Sequence, residues 1–473
     1  MPNKSTALRA GLGYTIGNIF IKGINFLTLP LFSRLMTTAE FGTYNVFLSY
    51  DAILSVVLGL AMYTSVRSAH YEFKDTDSYV SSISFFYILN ALLFLAIVLL
   101  WGNEVSSFFG IDESLLILLI PFSFGGGIIQ LYNQRISLNY DYKKYLLVAL
   151  ANSLGNVILS IVLMFTVFRY DRDIGRIVGT VATIFFIAIV ILWNISKKSP
   201  ILQYNYKFLK FGLLYSLPIV PHGLSQVLLG QCDRIMIANM VSISAAGIYS
   251  LAGNLQLVLA VITNSIGTSW STWFYAQMEK NNYKTIQNNA KLLTRMFLIC
   301  TLFFLAISPE VIYLLGGINY EQGKFVAIPM IASGFMIFLY SVIIPSEYYT
   351  KNTIYIMFGT VMAAIINVIT NYIFIKIFGY IAAGYTTLFS YACYFFLHFF
   401  ISRKLVKFDV IPAKTIIIVI VLILLFSCEN LYFINHIILR YTTSIIAIII
   451  LSLPLINRGL YIITKKSGGH NNE

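Results

Sequence analysis

Residues 80–101 read VSSISFFYILNALLFLAIVLLW, an apolar run that carries no charged side chain. At 1.5 Å rise per residue, about 20 such residues cross the hydrocarbon core of a bilayer as one helix. Thirteen further stretches of this kind lie between polar, turn-like breaks, at 11–33, 44–66, 114–134, 144–168, 176–194, 211–231, 243–265, 290–308, 325–345, 354–375, 380–402, 411–427 and 439–456. Fourteen spans predict an all-α polytopic membrane protein, because a helix satisfies its own backbone where no water can. The composition agrees: of 473 residues, 58% are hydrophobic and 11% charged, against about 25% charged in soluble chains, and the mean hydropathy is +0.80. A cytosolic enzyme, a secreted disulfide scaffold and a disordered chain are excluded. The longest link, 266–289, is too short for a catalytic domain, and its Trp270, Trp273, Phe274 and Tyr275 predict an interfacial amphipathic helix.

The net charge of +13 does not call for a nucleic-acid partner, since the basic residues are spread through short loops instead of one soluble face. With the N-terminus inside, 23 Lys and Arg fall on the inner side and 8 on the outer, Arg176 and Arg440 among the latter, while Lys22 lies within a span. That asymmetry predicts an even number of spans with both termini cytoplasmic. Lys4 and Arg9 precede the first span as in a signal peptide, but its length and the absence of a small-residue cleavage pattern predict that it is retained. Cys232, Cys300, Cys393 and Cys428 are far apart and the five histidines lack ligand spacing, so neither metal nor cofactor is expected.

An internal repeat organises the spans. Arg34-Leu35-Met36 followed by Gly42-Thr43-Tyr44 recurs as Arg234-Ile235-Met236 followed by Gly247-Ile248-Tyr249. Gly179-Thr180 matches Gly384-Tyr385, and Asn156-Val157-Ile158 matches Asn367-Val368-Ile369. The matches keep chain order, and each unit holds six spans, so the copies share one orientation and imply a pseudo-two-fold axis along the membrane normal. The expected lobes are 1–198 and 199–405, with 406–473 carrying the last two spans and a cytoplasmic tail. Two such lobes imply a cleft.

Polar residues at membrane depth mark its lining. Lys22 lies eleven residues from each end of its span, about 16 Å at helical rise, beyond the reach of a snorkelling side chain. Asn18, Lys22 and Asn25 fall on one narrow stripe. At an offset of 200 the seventh span places His222 where the first has Lys22, with Gln226 on the same face and Asp233 and Arg234 at its end. An ionisable group this deep costs about 2.5–3.5 kcal/mol unless solvated or paired, which makes a functional lining the default. The structural alternative is a helix-joining pair, for instance Lys22 with Asp51. Asp51, Arg67, Gln130, Asn152, Asn156, Asn254, Asn264, Glu347, Asn367 and Asn371 are weaker lining candidates, since such groups also join helices. Pro218 and Pro221 predict a bend beside His222.

Phosphate-loop, dinucleotide, zinc-protease and hydrolase motifs fail on spacing or residue type. Energy is therefore expected from an ion gradient, product removal or the membrane potential, which supplies about 2.3 kcal/mol per charge per 100 mV. The Arg-Leu-Met and Phe-Gly-Thr-Tyr elements after the first span, the Asp-Arg-Ile-Met and Gly-Ile-Tyr elements after the seventh, and the twelve-plus-two spans resemble the bacterial oligosaccharide flippases. These are the Wzx-type exporters of the multidrug/oligosaccharidyl-lipid/polysaccharide superfamily. The resemblance implies a non-enzymatic flippase of the bacterial inner membrane for surface polysaccharide biosynthesis. Its cargo would be an undecaprenyl-diphosphate-linked oligosaccharide, moved to the outer leaflet by alternating access, with the pathway's polymerase or ligase as possible partners. It further implies that Lys22, Arg34 and Arg234 hold the diphosphate, with Asn18, Asn25, Asp51, Gln226 and Asn254 lining the lumen. His222 and Asp233 are candidates for ion coupling. The four-arginine lumen pattern of the peptidoglycan-precursor flippases is not evident, which argues against that cargo. The alternatives are a multidrug cation antiporter of the same superfamily, against which the cationic first helix speaks, and a membrane polysaccharide polymerase or ligase, which would need a large outer loop.

Overall fold

The computed structural model describes residues 4–200 and 204–468, and these are entirely helical apart from their connections. The chain forms two compact units, residues 1–247 and 248–473. The first contains α1 (Lys4–Leu35), α2 (Thr38–Gly59), α3 (Val66–Glu72), α4 (Thr76–Phe109), α5 (Glu113–Ser137), α6 (Tyr142–Phe165), α7 (Arg172–Ser196), α8 (Tyr206–Ser216) and α9 (Val220–Met240). α10 (Ile243–Glu279) begins in the first unit and continues into the second, which adds α11 (Tyr283–Gly316), α12 (Lys324–Ile343), α13 (Pro345–Tyr349), α14 (Thr353–Phe378), α15 (Ile381–Val406), α16 (Ala413–Tyr432) and α17 (Ile437–Gly468). Among the described residues eleven helical segments are long and apolar enough to cross a membrane, and twelve when α8 and α9 count as one span bent by 53°. The bend falls at Leu217–Ile219, where Pro218 and Pro221 remove backbone donors, as the sequence predicts.

The repeated motif explains itself in the first unit. Thr37 ends the connection after α1 and caps α2: its hydroxyl accepts from Glu40 N at 3.2 Å, and Glu40 Oε2 accepts from Thr37 N at 2.6 Å. Glu40 Oε1 also accepts from Arg172 N at 3.1 Å, and the Arg172 guanidinium donates to Leu35 O, tying the end of α1 to the start of α7. The motif's glycines permit a backbone contact. A Cβ on Gly42 would fall 2.0 Å from Ile243 O, and one on Gly247 would fall 2.0 Å from Thr38 O. Beside this crossing the Thr38 and Ser244 hydroxyls meet at 2.6 Å. The core of the unit gathers buried residues of α2, α4, α5, α7 and α8, among them Leu58, Ile83, Ile128, Ile191 and Leu209, and within it Tyr87 fills the space over Gly59 and Gly127.

In the second unit α12 is buried on nearly every side. Phe297 of α11 stacks on Phe338 at 3.9 Å and 3°, and Trp270 of α10 donates to Val342 O at 2.8 Å. Two expectations change here. Link 266–289 is not an interfacial helix: it is the end of α10 and the start of α11, and Trp270 and Phe274 are buried in the core. Arg440 is not a loop cation either. It sits in the first turn of α17, fully buried, paired with Glu310 of α11 and donating to Ile434 O at 2.9 Å.

Gly42→Ala should lower the thermal midpoint in detergent, because backbone cannot retreat from the added methyl, whereas Gly126→Ala, with nothing within 4 Å, should leave it unchanged. Equal midpoints for the two variants would show that the α2–α10 approach does not limit stability.

Candidate functional site

The predicted cations are placed differently from one another. The side chains of Asn18, Lys22 and Asn25 lie outside the described residues. Arg34 is exposed in the last turn of α1, at the negative end of the helix dipole. Arg234, two-thirds along α9, is half-buried; its Nη1 donates to Gly230 O at 2.9 Å and to Gln231 Oε1 at 2.6 Å. Gln231 Oε1 also accepts from Ser49 Oγ of α2 at 3.3 Å, so α2 helps hold the acceptor that orients the guanidinium. Among the described residues Arg234 enters no salt bridge. A guanidinium held by neutral oxygens keeps its full charge available, and its planar donors suit phosphate oxygens.

The predicted neighbours divide. Asp233 is buried on α9, His222 is half-buried in its first turn, and Gln226 is exposed. Asp51 accepts from Ser55 Oγ at 3.2 Å and from Ser123 Oγ of α5 at 2.6 Å, which joins α2 to α5. Asn254 belongs to the other unit, where its Nδ2 donates to Ser250 O at 2.9 Å within α10.

Sequence reasoning missed Arg176 by placing it in a loop. It lies in the second turn of α7 and is buried. Its guanidinium carbon stands 3.6 Å from the centroid of Phe32 and 4.7 Å from that of Tyr44, while Nη1 donates to Asn156 Oδ1 at 2.6 Å and Ser160 Oγ at 2.9 Å. Here again the acceptors are neutral. Asn156 Oδ1 also takes a bond from Thr180 Oγ1 at 3.0 Å, linking α6 to α7. The second unit repeats that bridge: Asn367 of α14 donates to Thr387 Oγ1 of α15 at 3.5 Å, and Asn371 donates to Asn367 Oδ1 at 3.1 Å. Asn156 and Asn367 are therefore interhelical connectors, one in each unit. Asn156→Leu should lower the thermal midpoint more than Arg176→Met, since the first strands a buried charge and the second removes it. The reverse order would mean that Arg176 contributes chiefly through packing.

The comparisons fit this architecture. A family profile described as polysaccharide biosynthesis protein matches residues 7–271. Two proteins of Haemophilus influenzae align with the chain: the Lsg locus putative protein 1, 20% identical over 275 residues, and an uncharacterized membrane protein, 23% identical over 280 residues. The alignments take in 56% and 57% of this chain and 65% and 66% of those relatives, just under two thirds of their length. Among solved structures, the inward closed conformation of the lipid II flippase MurJ is similar with a TM-score of 0.70 at 16% identity, covering 95% of this chain and 99% of that one. An inward-facing multidrug transporter of the MATE family follows the fold with a TM-score of 0.61 at 12% identity, covering 80% of this chain and 94% of that one. The fold is thus one shared with these transporters, and the chain belongs to the polysaccharide biosynthesis protein family.

Proposed function

We propose that this protein carries an undecaprenyl-diphosphate-linked oligosaccharide from the cytoplasmic to the outer leaflet of the bacterial inner membrane by alternating access. The observation that carries this reading is Arg234, a half-buried guanidinium in a membrane helix oriented by neutral oxygens alone. A charged, hydroxyl-rich headgroup cannot cross about 30 Å of hydrocarbon unaided, whereas a polyprenyl tail can remain in lipid. Fixed cations replace what the diphosphate loses on leaving water. Lys22 and Arg34 complete the diphosphate set in this reading, Asn18, Asn25, Asp51, Gln226 and Asn254 line the route, and His222 and Asp233 couple it to an ion.

The same reading takes α1 and α15, 32 and 26 residues long, as the spans that bring twelve to fourteen. The lobes are then 1–198 and 199–405, related by an axis along the membrane normal, with 406–473 appended and both termini cytoplasmic. The Asn156–Thr180 and Asn367–Thr387 bridges support that pairing, since each joins the fifth and sixth spans of its lobe. A multidrug cation antiporter draws support from the MATE-like fold and from Asp51, a carboxylate within a span.

Purified protein in lipid vesicles, offered a labelled lipid-linked sugar or a fluorescent organic cation, separates the two. Sugar-lipid translocation without cation exchange is the expected result, and the opposite result refutes the proposal. Arg234→Ala should slow translocation about tenfold or more, the equivalent of one charge-assisted bond, with partial recovery in Arg234→Lys. Lys22→Ala should abolish transport while the protein stays inserted, and Lys22→Arg should retain part of it.

A further inference from the structure

The second unit encloses a titratable pair for which the transport route above has no use. Glu347 of α13 and His398 of α15 are both fully buried, and His398 Nδ1 lies 2.7 Å from Glu347 Oε1. Among the described residues no other ion pair has both side chains wholly enclosed. The far atoms, Glu347 Oε2 and His398 Nε2, are buried with no hydrogen-bond partner among the described residues.

A carboxylate beside an imidazolium, or a carboxylic acid beside an imidazole, is neutral overall and holds one mobile proton. Loss of that proton leaves a net negative pair, and gain of another leaves a net positive one. The titratable neighbours offer neither a counter-ion. From α12 the ring of Tyr340 stands 5.0 Å from His398, and from α15 the ring of Tyr394 stands 4.7 Å away. From α14 the Thr360 hydroxyl meets that of Tyr394 at 3.2 Å, and Gly359 presents bare backbone: a Cβ there would fall 2.2 Å from His398 Nε2. Tyr348 adjoins Glu347 on α13 itself. All are neutral groups, and a net charge in such a place is strongly disfavoured.

The location makes that penalty mechanical. α13 is five residues long and continues α12 through Ile344, whose carbonyl accepts from Glu347 N at 3.0 Å, while Pro345 leaves one rung of the ladder without a donor. Two side-chain bonds join it to α15, the Glu347–His398 bond and the Ser346–Ser402 hydroxyl pair at 2.6 Å, and Ser346 Oγ also donates to Ile343 O of α12 at 2.7 Å. We propose that Glu347 and His398 form a proton-binding site, and that losing or gaining its proton unseats α13 from α15. This holds whichever cargo the protein carries.

The test uses the full chain in lipid vesicles between about pH 5 and pH 8, the range in which a histidine changes charge. Difference infrared spectra should show a carboxyl band that changes with pH in wild type, vanishes in Glu347→Gln and shifts in His398→Gln. Hydrogen exchange at residues 345–349 should change several-fold more with pH in wild type than in Glu347→Gln, a comparison at matched pH that cancels the intrinsic dependence. Glu347→Gln keeps an oxygen to accept from Nδ1. If the variants do not fold, nitrogen spectra of wild type, with five histidines to resolve, give the same reading through an imidazole whose titration tracks the carboxyl band. A band unchanged across this range, or a titrating band with unaltered exchange at 345–349, overturns the proposal.

Discussion

Hydrocarbon gives a helix nothing to bond to and gives two helices no water to expel, so association inside the membrane rests on close packing and on polar bonds between side chains. Each such bond contributes modestly, about 0.6 kcal/mol on average, while a buried polar atom deprived of its partner costs about 1–3 kcal/mol. The penalty for omission therefore outweighs the gain from formation, and polar groups are fixed in position more firmly than their bond energies suggest. Gly42 and Gly247 show the packing side of this constraint, with backbone against backbone where any methyl would collide. Asp51 with Ser123, and Asn156 with Thr180, show the polar side.

The two units use that constraint differently. Both keep the asparagine–threonine bridge between a helix and its successor. In the first unit Arg176 joins this bridge by donating to Asn156 Oδ1. In the second unit an amide, Asn371, joins it instead. Conversely, the second unit encloses the Glu347–His398 pair and anchors α17 to α11 through Arg440 and Glu310. The two bridges thus differ in charge while each still joins a helix to its successor.

That separation matters for transport. Cations held only by neutral oxygens, as Arg176 and Arg234 are, retain attraction for an anion, while an arginine paired with a carboxylate, as Arg440 is, has spent it locally. Arg176 is sealed by Phe32 and Tyr44 and so holds helices together. Arg234, half-exposed on α9, is the one of the three that is not buried.

The apolar runs alone determined that this chain is helical and spans a membrane, because hydrocarbon leaves an unbroken run of some 20 residues a single way to satisfy its backbone. The bend near His222 was legible in two prolines, since it arises from a local steric rule. Charge was read less well. Arg176 and Arg440 stand at the ends of apolar runs, where a one-dimensional reading sees a loop, and whether such a side chain turns outward or inward depends on Phe32, Asn156 and Glu310, which lie far away in sequence. His398 gave no signal for the same reason: its partner is 51 residues distant on another helix. Which polar groups meet was decided by tertiary packing, because in lipid a partner is chosen by proximity across helices and not by spacing along the chain.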